Sequence, residues 1–352
     1  MEDIKFESKP QISVIICCYS GEKTIESCLN SLFNQDLENS LFEVIIVDDG
    51  SLDDSAKLIN KFLKESISKQ HQNFRYFRKK NEGLSIARNF GLDKCKSELV
   101  VYIDEDALVY HNYLSVIIEY FKTNSIVNCL GGKVELYNKD NKFALLIQDS
   151  IFSLYMKNEN SIIGTNMAFR KSFLNEVGGF QPEFTYRGDE TALFKKSKGK
   201  LVKGRTDLMI VKHFQPPNSI AWLKTRYENG FFSIAIDFFM NVPRIQIFIK
   251  LLKSLLIVLS PFFILMGITL MFSSINMALF LLGIGLFIIF KKFFWNGLFY
   301  NTIKEFRINK EYNTRLREEF YIISLITRGV FVSNIGALKG YNKFKNVKWK
   351  QQ

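Results

Sequence analysis

The 352-residue chain predicts an α/β domain built on a mostly parallel sheet, followed by a C-terminal helical region associated with a membrane. Three observations carry that expectation. Short apolar runs alternate with segments of helical periodicity from Ile12 to Asp106, which means βαβ units with right-handed crossovers. Acidic or glycine-bearing turns close three of those runs, and in an open parallel sheet such turns gather at the edge where ligands bind. Beyond residue 240, long apolar runs lie between clusters of Lys and Arg.

Ile12-Ser13-Val14-Ile15-Ile16-Cys17-Cys18 reads as a strand buried on both faces, with Tyr19-Ser20-Gly21 as its turn. From Glu22 to Gln35, Ile25, Cys28, Leu29, Leu32 and Phe33 recur at helical spacing, with Ser20 or Thr24 available as a cap. A second strand, Phe42 to Val47, closes in Asp48-Asp49-Gly50-Ser51, and a helix follows from Asp53 to Leu63. A third strand, Phe74 to Phe77, leads through Asn81-Glu82-Gly83 into a helix from Leu84 to Leu92. The fourth strand begins at Leu99 and ends abruptly in Asp104-Glu105-Asp106. Carboxylates so close together repel, and hard oxygen ligands of this kind suit Mg²⁺ or Mn²⁺ with substrate phosphates completing the shell. A solvated acidic turn is the plain alternative. The sequence has no GxGxxG and no GxxxxGK[ST], so dinucleotide and P-loop chemistry lose their main support.

These motifs together resemble the family-2 nucleotide-sugar glycosyltransferases, whose fold is GT-A, a Rossmann-like α/β arrangement. The resemblance rests on Ser13-Val14-Ile15-Ile16 through Tyr19, Val47-Asp48-Asp49-Gly50-Ser51, Asn81-Glu82-Gly83 with Ala87-Arg88-Asn89-Phe90-Gly91, and Asp104-Glu105-Asp106, and it covers about residues 10 to 215. It implies that Tyr19 and Asp49 hold the nucleobase, that Asp48 supports the same turn, and that Arg88 reaches the nucleotide. It places Asp104 and Glu105 on the nucleotide side, with Asp106 and Asp104 ligating Mn²⁺ or Mg²⁺. Gly164-Thr165-Asn166-Met167-Ala168-Phe169-Arg170 and Val177-Gly178-Gly179-Phe180 recur in the family beside the donor sugar, which marks Asn166 and Gly179. His213 stands where related enzymes often carry a histidine near the metal or diphosphate.

Asp189-Glu190 is the second acidic cluster. Adjacent acids opening a helix are stabilised by its dipole, which is the bland account. The family carries an acidic pair, commonly Glu-Asp, before a helix, and one member takes the proton from the acceptor hydroxyl. Here the order is reversed, so Glu190 is expected to be the base by position, with Asp189 as the alternative. Gly131 to Leu136 reads as a strand and Leu145 to Tyr155 as a helix near the membrane.

The five cysteines form no CxxC pair and have no companion histidine cluster, so neither a zinc site nor a disulfide framework is indicated. The N-terminal residues are charged and polar, and no signal peptide is expected there. Net charge is +12, and residues 241 to 352, with sixteen Lys and Arg against four Glu and no Asp, carry the whole surplus. Because that charge flanks apolar runs, anionic lipid headgroups are favoured as partners and nucleic acid is not. Asn218 to Met240 suits an interfacial helix. It holds Leu223-Lys224-Thr225-Arg226-Tyr227 where processive synthases of the family carry QxxRW, and this departure argues against a long-chain polymerase.

Ser254 to Phe272 has no charge across nineteen residues, enough to cross hydrocarbon at about 1.5 Å per residue. Ile275 to Phe290 is a second, shorter candidate, joined to it by Ser273-Ser274. Lysines at the outer ends predict a hairpin with both ends cytoplasmic. Phe320 to Leu338 contains Arg328 and precedes five lysines, which predicts an interfacial or re-entrant helix. The expected organisation is a catalytic domain over 1–215, an interfacial linker over 216–243, a transmembrane hairpin over 244–295 and a basic membrane-interface tail over 296–352. The chain is expected to be a multi-pass cell-membrane protein with a cytoplasmic catalytic domain.

The leading expectation is inverting, metal-dependent transfer of one sugar from a nucleotide-sugar donor to a hydroxyl of a lipid-linked or cell-surface glycan. Two alternatives stand beside it: transfer to polyprenyl phosphate, as in dolichol-phosphate-mannose synthases, and a non-catalytic scaffold that binds nucleotide sugar. A phosphate acceptor needs no base, so Asp189-Glu190 argues against the first. The intact acidic motifs argue against the second.

Overall fold

The computed structural model describes residues 9–68, 73–152, 162–270, 275–293 and 316–347. They form two compact units, one from residues within 1–139 and 156–215, the other from residues within 140–155 and 216–351. Asp140–Tyr155 therefore groups with the C-terminal helices, whereas the sequence reading kept it in the first domain.

The first unit is an eight-stranded sheet: β1 (Ile12–Cys18), β2 (Phe42–Asp48), β3 (Phe74–Arg78), β4 (Leu99–Asp104), β5 (Ala107–Val109), β6 (Cys129–Leu136), β7 (Met167–Arg170) and β8 (Lys203–His213), in the order β3-β2-β1-β4-β7-β6-β8-β5. Strands β1 to β4 are parallel, β7 runs antiparallel between β4 and β6, β8 lies parallel to β6, and β5 pairs antiparallel with β8. The parallel half follows from the crossovers α1 (Ile25–Phe33), α2 (Ser55–Ser68) and α3 (Leu84–Lys94). This unit also holds α4 (Tyr113–Thr123), α6 (Lys171–Glu176) and α7 (Asp189–Lys196), whereas α5 (Lys142–Ile147) belongs to the second unit.

Both sheet faces are buried. Along β1, Val14, Ile16 and Cys18 enter one core cluster while Ile15 and Cys17 enter the other, the two-residue period of a strand covered on both sides. Continuous apolar runs are the sequence signature of that environment. Thr24 occupies the α1 N-cap position without a side-chain capping bond, and Ser20 holds a positive φ of 60° in the turn, so neither caps by its side chain as expected. β8 is longer than the apolar run before His213, because its first half, Lys203 to Asp207, is polar edge strand that is only partly buried.

The second unit is helical: α5 continued by a π-helical turn over Gln148–Phe152, then α8 (Ser219–Phe239), α9 (Arg244–Leu270), α10 (Ile275–Phe293) and α11 (Leu316–Phe344). Asn218 caps α8 by accepting from the Ala221 amide at 2.9 Å. α8 and α11 touch backbone to backbone. A Cβ on Gly230 would lie 1.8 Å from the Ser333 carbonyl oxygen, and one on Gly336 would lie 2.1 Å from that of Tyr227. Small residues at such crossings let helices approach where lipid supplies no hydrophobic drive. Arg328 is exposed on α11, its Nε donating to the Ser324 carbonyl.

Among the described residues one helical stretch, Arg244–Ile268, is long and apolar enough to cross a membrane, with mean hydropathy 2.2. The Ser273-Ser274 connection of the expected hairpin, residues 153–155 of the expected Leu145–Tyr155 helix, and residues 296–315 and 348–352 of the expected tail lie outside the described residues.

Candidate active site

The C-terminal ends of the parallel strands carry the charged cluster. β4 ends at Asp104, and the chain turns through Glu105 and Asp106 into β5. The β5–β8 register sets Ala107 opposite His213, the last residue of β8, and so brings Asp106 to the imidazole, Nε2 to Oδ1 3.2 Å. One ligand atom each from Asp104, Asp106 and His213 lies within 4.8 Å of the others. Two carboxylates and an imidazole at that spacing fit a divalent cation.

The electrostatics of the trio are uneven. Burial pushes Asp104 up, against the pull of the Arg88 charge and with the help of Asp106, and it ends above the ordinary carboxylate range. Burial also pushes Asp106 upward, but the charge and hydrogen bond of His213 outweigh it and leave that carboxyl lowered. His213 is correspondingly raised, its burial overcome by Asp106. Each group thus favours the charged form of the other, and a metal cation bound there would compete with the imidazole proton.

Arg88, on α3, is 3% exposed and joins the two acidic clusters. Its Nη1 donates to Asp189, and its Nη2 to Asp104 at 3.2 Å and to the Gly164 carbonyl at 3.4 Å. Its guanidinium lies 5.7 Å from the Tyr102 ring centroid and 5.2 Å from that of Phe180. Burial would lower its pKa, but Asp189 and Asp104 together hold it above the ordinary value. With Nη1 on Asp189 and Nη2 shared between Asp104 and the Gly164 carbonyl, the guanidinium is a buried counter-ion to both acids.

Asp189 and Glu190 open α7 after Gly188, and their surroundings differ. Asp189 is 2% exposed and closed against Arg88. Glu190 is half-buried, with its carboxyl carbon 3.5 Å from where a Gly164 side chain would begin. Burial, reinforced by the Asp189 charge, pushes Glu190 up to about 8.

The β2 turn holds the other pair. Asp48 is fully buried; its Oδ1 accepts from the Ser51 amide at 2.7 Å and its Oδ2 from the Tyr76 hydroxyl at 2.8 Å, so it fixes the turn. Asp49 accepts from Lys79 Nζ at 2.6 Å and from the amides of Glu82 and Gly83 at 3.1 and 2.8 Å. Gly83 has φ 99° and lies where a Cβ would meet Thr185 at 2.6 Å, and the next amide, Leu84, donates to the Thr185 carbonyl. Tyr19 is 47% exposed beside this turn, a free aromatic face at the end of β1.

Three further expected residues make packing or hydrogen-bond contacts within the protein. Asn166 is fully buried, its Oδ1 accepting from the Tyr113 hydroxyl and its Nδ2 donating to the Lys133 and Met209 carbonyls, so its side chain ties strands together. Gly179, at φ 64°, packs on Asn89, whose Oδ1 would lie 2.5 Å from an added Cβ. Glu105 packs against Gly21, and burial and the two neighbouring acids push it up to about 8. Sequence reasoning missed Lys79 and Tyr76. The Lys79–Glu82 spacing, with Nζ to Oε2 at 2.9 Å, was the one available signal.

The description "Glycosyl transferase family 2" matches residues 13–178. An uncharacterized glycosyltransferase of Rickettsia bellii is 36% identical over 117 residues, 33% of this chain and 16% of that protein. A cholesterol galactosyltransferase of Borreliella burgdorferi is 34% identical over 130 residues, 37% of this chain and 34% of that one. The chain thus spans about a third or less of the length of these curated relatives. The mannosyltransferase PcManGT from Pyrobaculum calidifontis, solved with GDP-Man and Mn²⁺, superposes with a TM-score of 0.55 at 14% identity, covering 96% of this chain and 88% of that one, and so shares its fold.

Proposed function

Residues 13–178 form a family-2 glycosyltransferase domain of GT-A fold, and from that premise we propose an inverting enzyme that moves one sugar from a nucleotide sugar to a hydroxyl on a membrane-held or surface glycan acceptor. The observation that carries the reading is the meeting of Asp104, Asp106 and His213 beside the Arg88-bridged Asp189-Glu190 pair. Asp104, Asp106 and His213 would hold Mn²⁺ or Mg²⁺, which when bound supplies positive charge to a diphosphate leaving group. The Mn²⁺ and GDP-Man named with the Pyrobaculum structure support the same donor class.

Within the protein, Asp49, fixed by Lys79 and the Glu82 and Gly83 amides, offers a rigid carboxylate edge to a nucleobase, and exposed Tyr19 offers a face for stacking. Arg88 keeps Asp104 and Asp189 apart in charge and fixed in place. Glu190 is the base. Its carboxylate takes the acceptor hydroxyl proton while the acceptor oxygen forms its bond to the anomeric carbon. The anomeric carbon–phosphate oxygen bond breaks, and its electron pair leaves with the nucleoside diphosphate. A pKa of about 8 places Glu190 near the pH at which a base both releases and accepts a proton readily. The salt bridge of Asp189 to Arg88 removes it from that role.

The cholesterol galactosyltransferase among the relatives names a lipid acceptor, and the apolar Arg244–Ile268 stretch suits an enzyme held at a membrane, with the sheet unit cytoplasmic. The test is transfer from labelled UDP-, GDP- and dTDP-sugars, with Mn²⁺, to extracted membrane lipids and to polyprenyl phosphate. The proposal expects a product on a hydroxyl acceptor that Glu190→Gln abolishes while donor binding persists. Transfer confined to polyprenyl phosphate and indifferent to Glu190→Gln would contradict it.

A further inference from the structure

The helical unit contains a cavity of about 700 Å³ walled by α8, α9 and α11. Its lining joins apolar side chains, Ile257, Ile326 and Val330 among them, to three cations, Arg226, Lys250 and Lys253, and includes no carboxylate. On α9 the residues Gln246, Lys250, Lys253 and Ile257 recur every three or four positions, so they share one face of the helix. Lys250 is matched by Asp237, and Arg226 lies over the Trp222 ring at 5.4 Å. Lys253 is exposed and makes no ion pair among the described residues.

That lysine stands directly before the uncharged run that begins at Ser254, where an apolar helix meets the polar headgroup layer. A cation at that level is matched by an anionic headgroup. Cavities of this size bind small molecules through apolar walls and a few placed polar groups. Cations at the wall of an apolar cavity match an amphiphile. A free anion would leave the apolar walls unfilled, and an uncharged lipid would leave the lysine unmatched.

The geometry points to a binding site for one phosphate-bearing membrane lipid in this cavity, its phosphate on Lys253 with Arg226 and Lys250 beside it, its chains against Ile257, Ile326 and Val330. The site lies wholly within the helical unit and does not depend on the glycosyl-transfer reading. To test it, the full chain in a neutral detergent is titrated with phosphatidylglycerol, with diacylglycerol of the same chains, and with glycerol 3-phosphate, and bound molecules are counted by native mass spectrometry.

One phosphatidylglycerol per chain is expected, held at least about tenfold more tightly than either control, since one hydrogen bond to a charged group is worth about that factor. Lys253→Gln lowers that affinity by about tenfold. Lys253→Arg retains it, and Lys224→Gln, an exposed lysine of the same unit outside the cavity, leaves it unchanged. Because Lys253 is exposed, its loss does not threaten folding. Equal retention of phosphatidylglycerol and diacylglycerol, glycerol 3-phosphate binding as tightly as the lipid, or unaltered affinity in Lys253→Gln would overturn the assignment.

Discussion

Replacing Arg88 with methionine removes a charge that two acids depend on. The guanidinium is 3% exposed and its partner Asp189 is 2% exposed, so the variant leaves a carboxylate buried with no counter-ion. Removing one member of a buried pair costs about 3–5 kcal/mol. Asp104 adds little, because its side chain is 26% exposed and water screens it. At about 2–4 °C per kcal/mol for a domain of this size, the melting temperature should fall by about 6–20 °C. Thermal unfolding followed by circular dichroism at neutral pH measures this. The double variant Arg88→Met/Asp189→Asn removes both charges and should recover about half of the loss or more, because the penalty lies in the bare acid rather than in the missing attraction. A single variant melting within about 2 °C of the parent would refute the reasoning, as would a double variant no more stable than Arg88→Met.

Other outcomes follow from the same geometry. Asp106→Asn should lower turnover by about a hundredfold or more, and His213→Ala should raise the Mn²⁺ concentration needed for half-maximal rate, both read from nucleotide release. Glu190 binds a proton in the folded state up to about pH 8, against 4.5 for an ordinary glutamate, so stability should fall as pH rises between those values. Glu190→Gln should therefore stabilise the protein above about pH 8 and be neutral below about pH 4.5, as read from urea midpoints. The rate kcat/KM should climb through about pH 8 as that carboxyl ionises. Gly336→Leu should separate α8 from α11 and lower the melting temperature in detergent, since its side chain would begin 2.1 Å from the Tyr227 carbonyl oxygen.

The parallel half of the sheet was legible because β1, β2 and β4 are mainly apolar runs and each crossover has helical period. In the other half, Gly131 to Leu136 of β6 was read but its neighbours were not. β5 has three residues and β7 four, too short for a periodicity to register, and α4 went unread although Tyr113, Leu114, Ile117, Ile118 and Phe121 mark its buried face. The acidic positions Asp104, Asp106 and Asp189 could be read from local chemistry, but their partners could not. The His213–Asp106 contact depends on the register of β5 against β8, and Arg88 meets Asp189 across 101 positions of sequence. Asn166 and Gly179 were marked by motif alone. The structure shows a hydrogen-bonded strand tie and a tight packing contact on α3, because a short segment that recurs in a family can be retained for folding as readily as for a ligand.

Mn²⁺ titration into the full chain, read by the loss of the free-ion electron paramagnetic resonance signal with and without a nucleoside diphosphate, addresses the carboxylate–imidazole cluster itself. One tightly held ion per chain is predicted, tighter still with the nucleotide and lost in Asp104→Asn/Asp106→Asn. Unchanged Mn²⁺ affinity in that double variant would contradict the account.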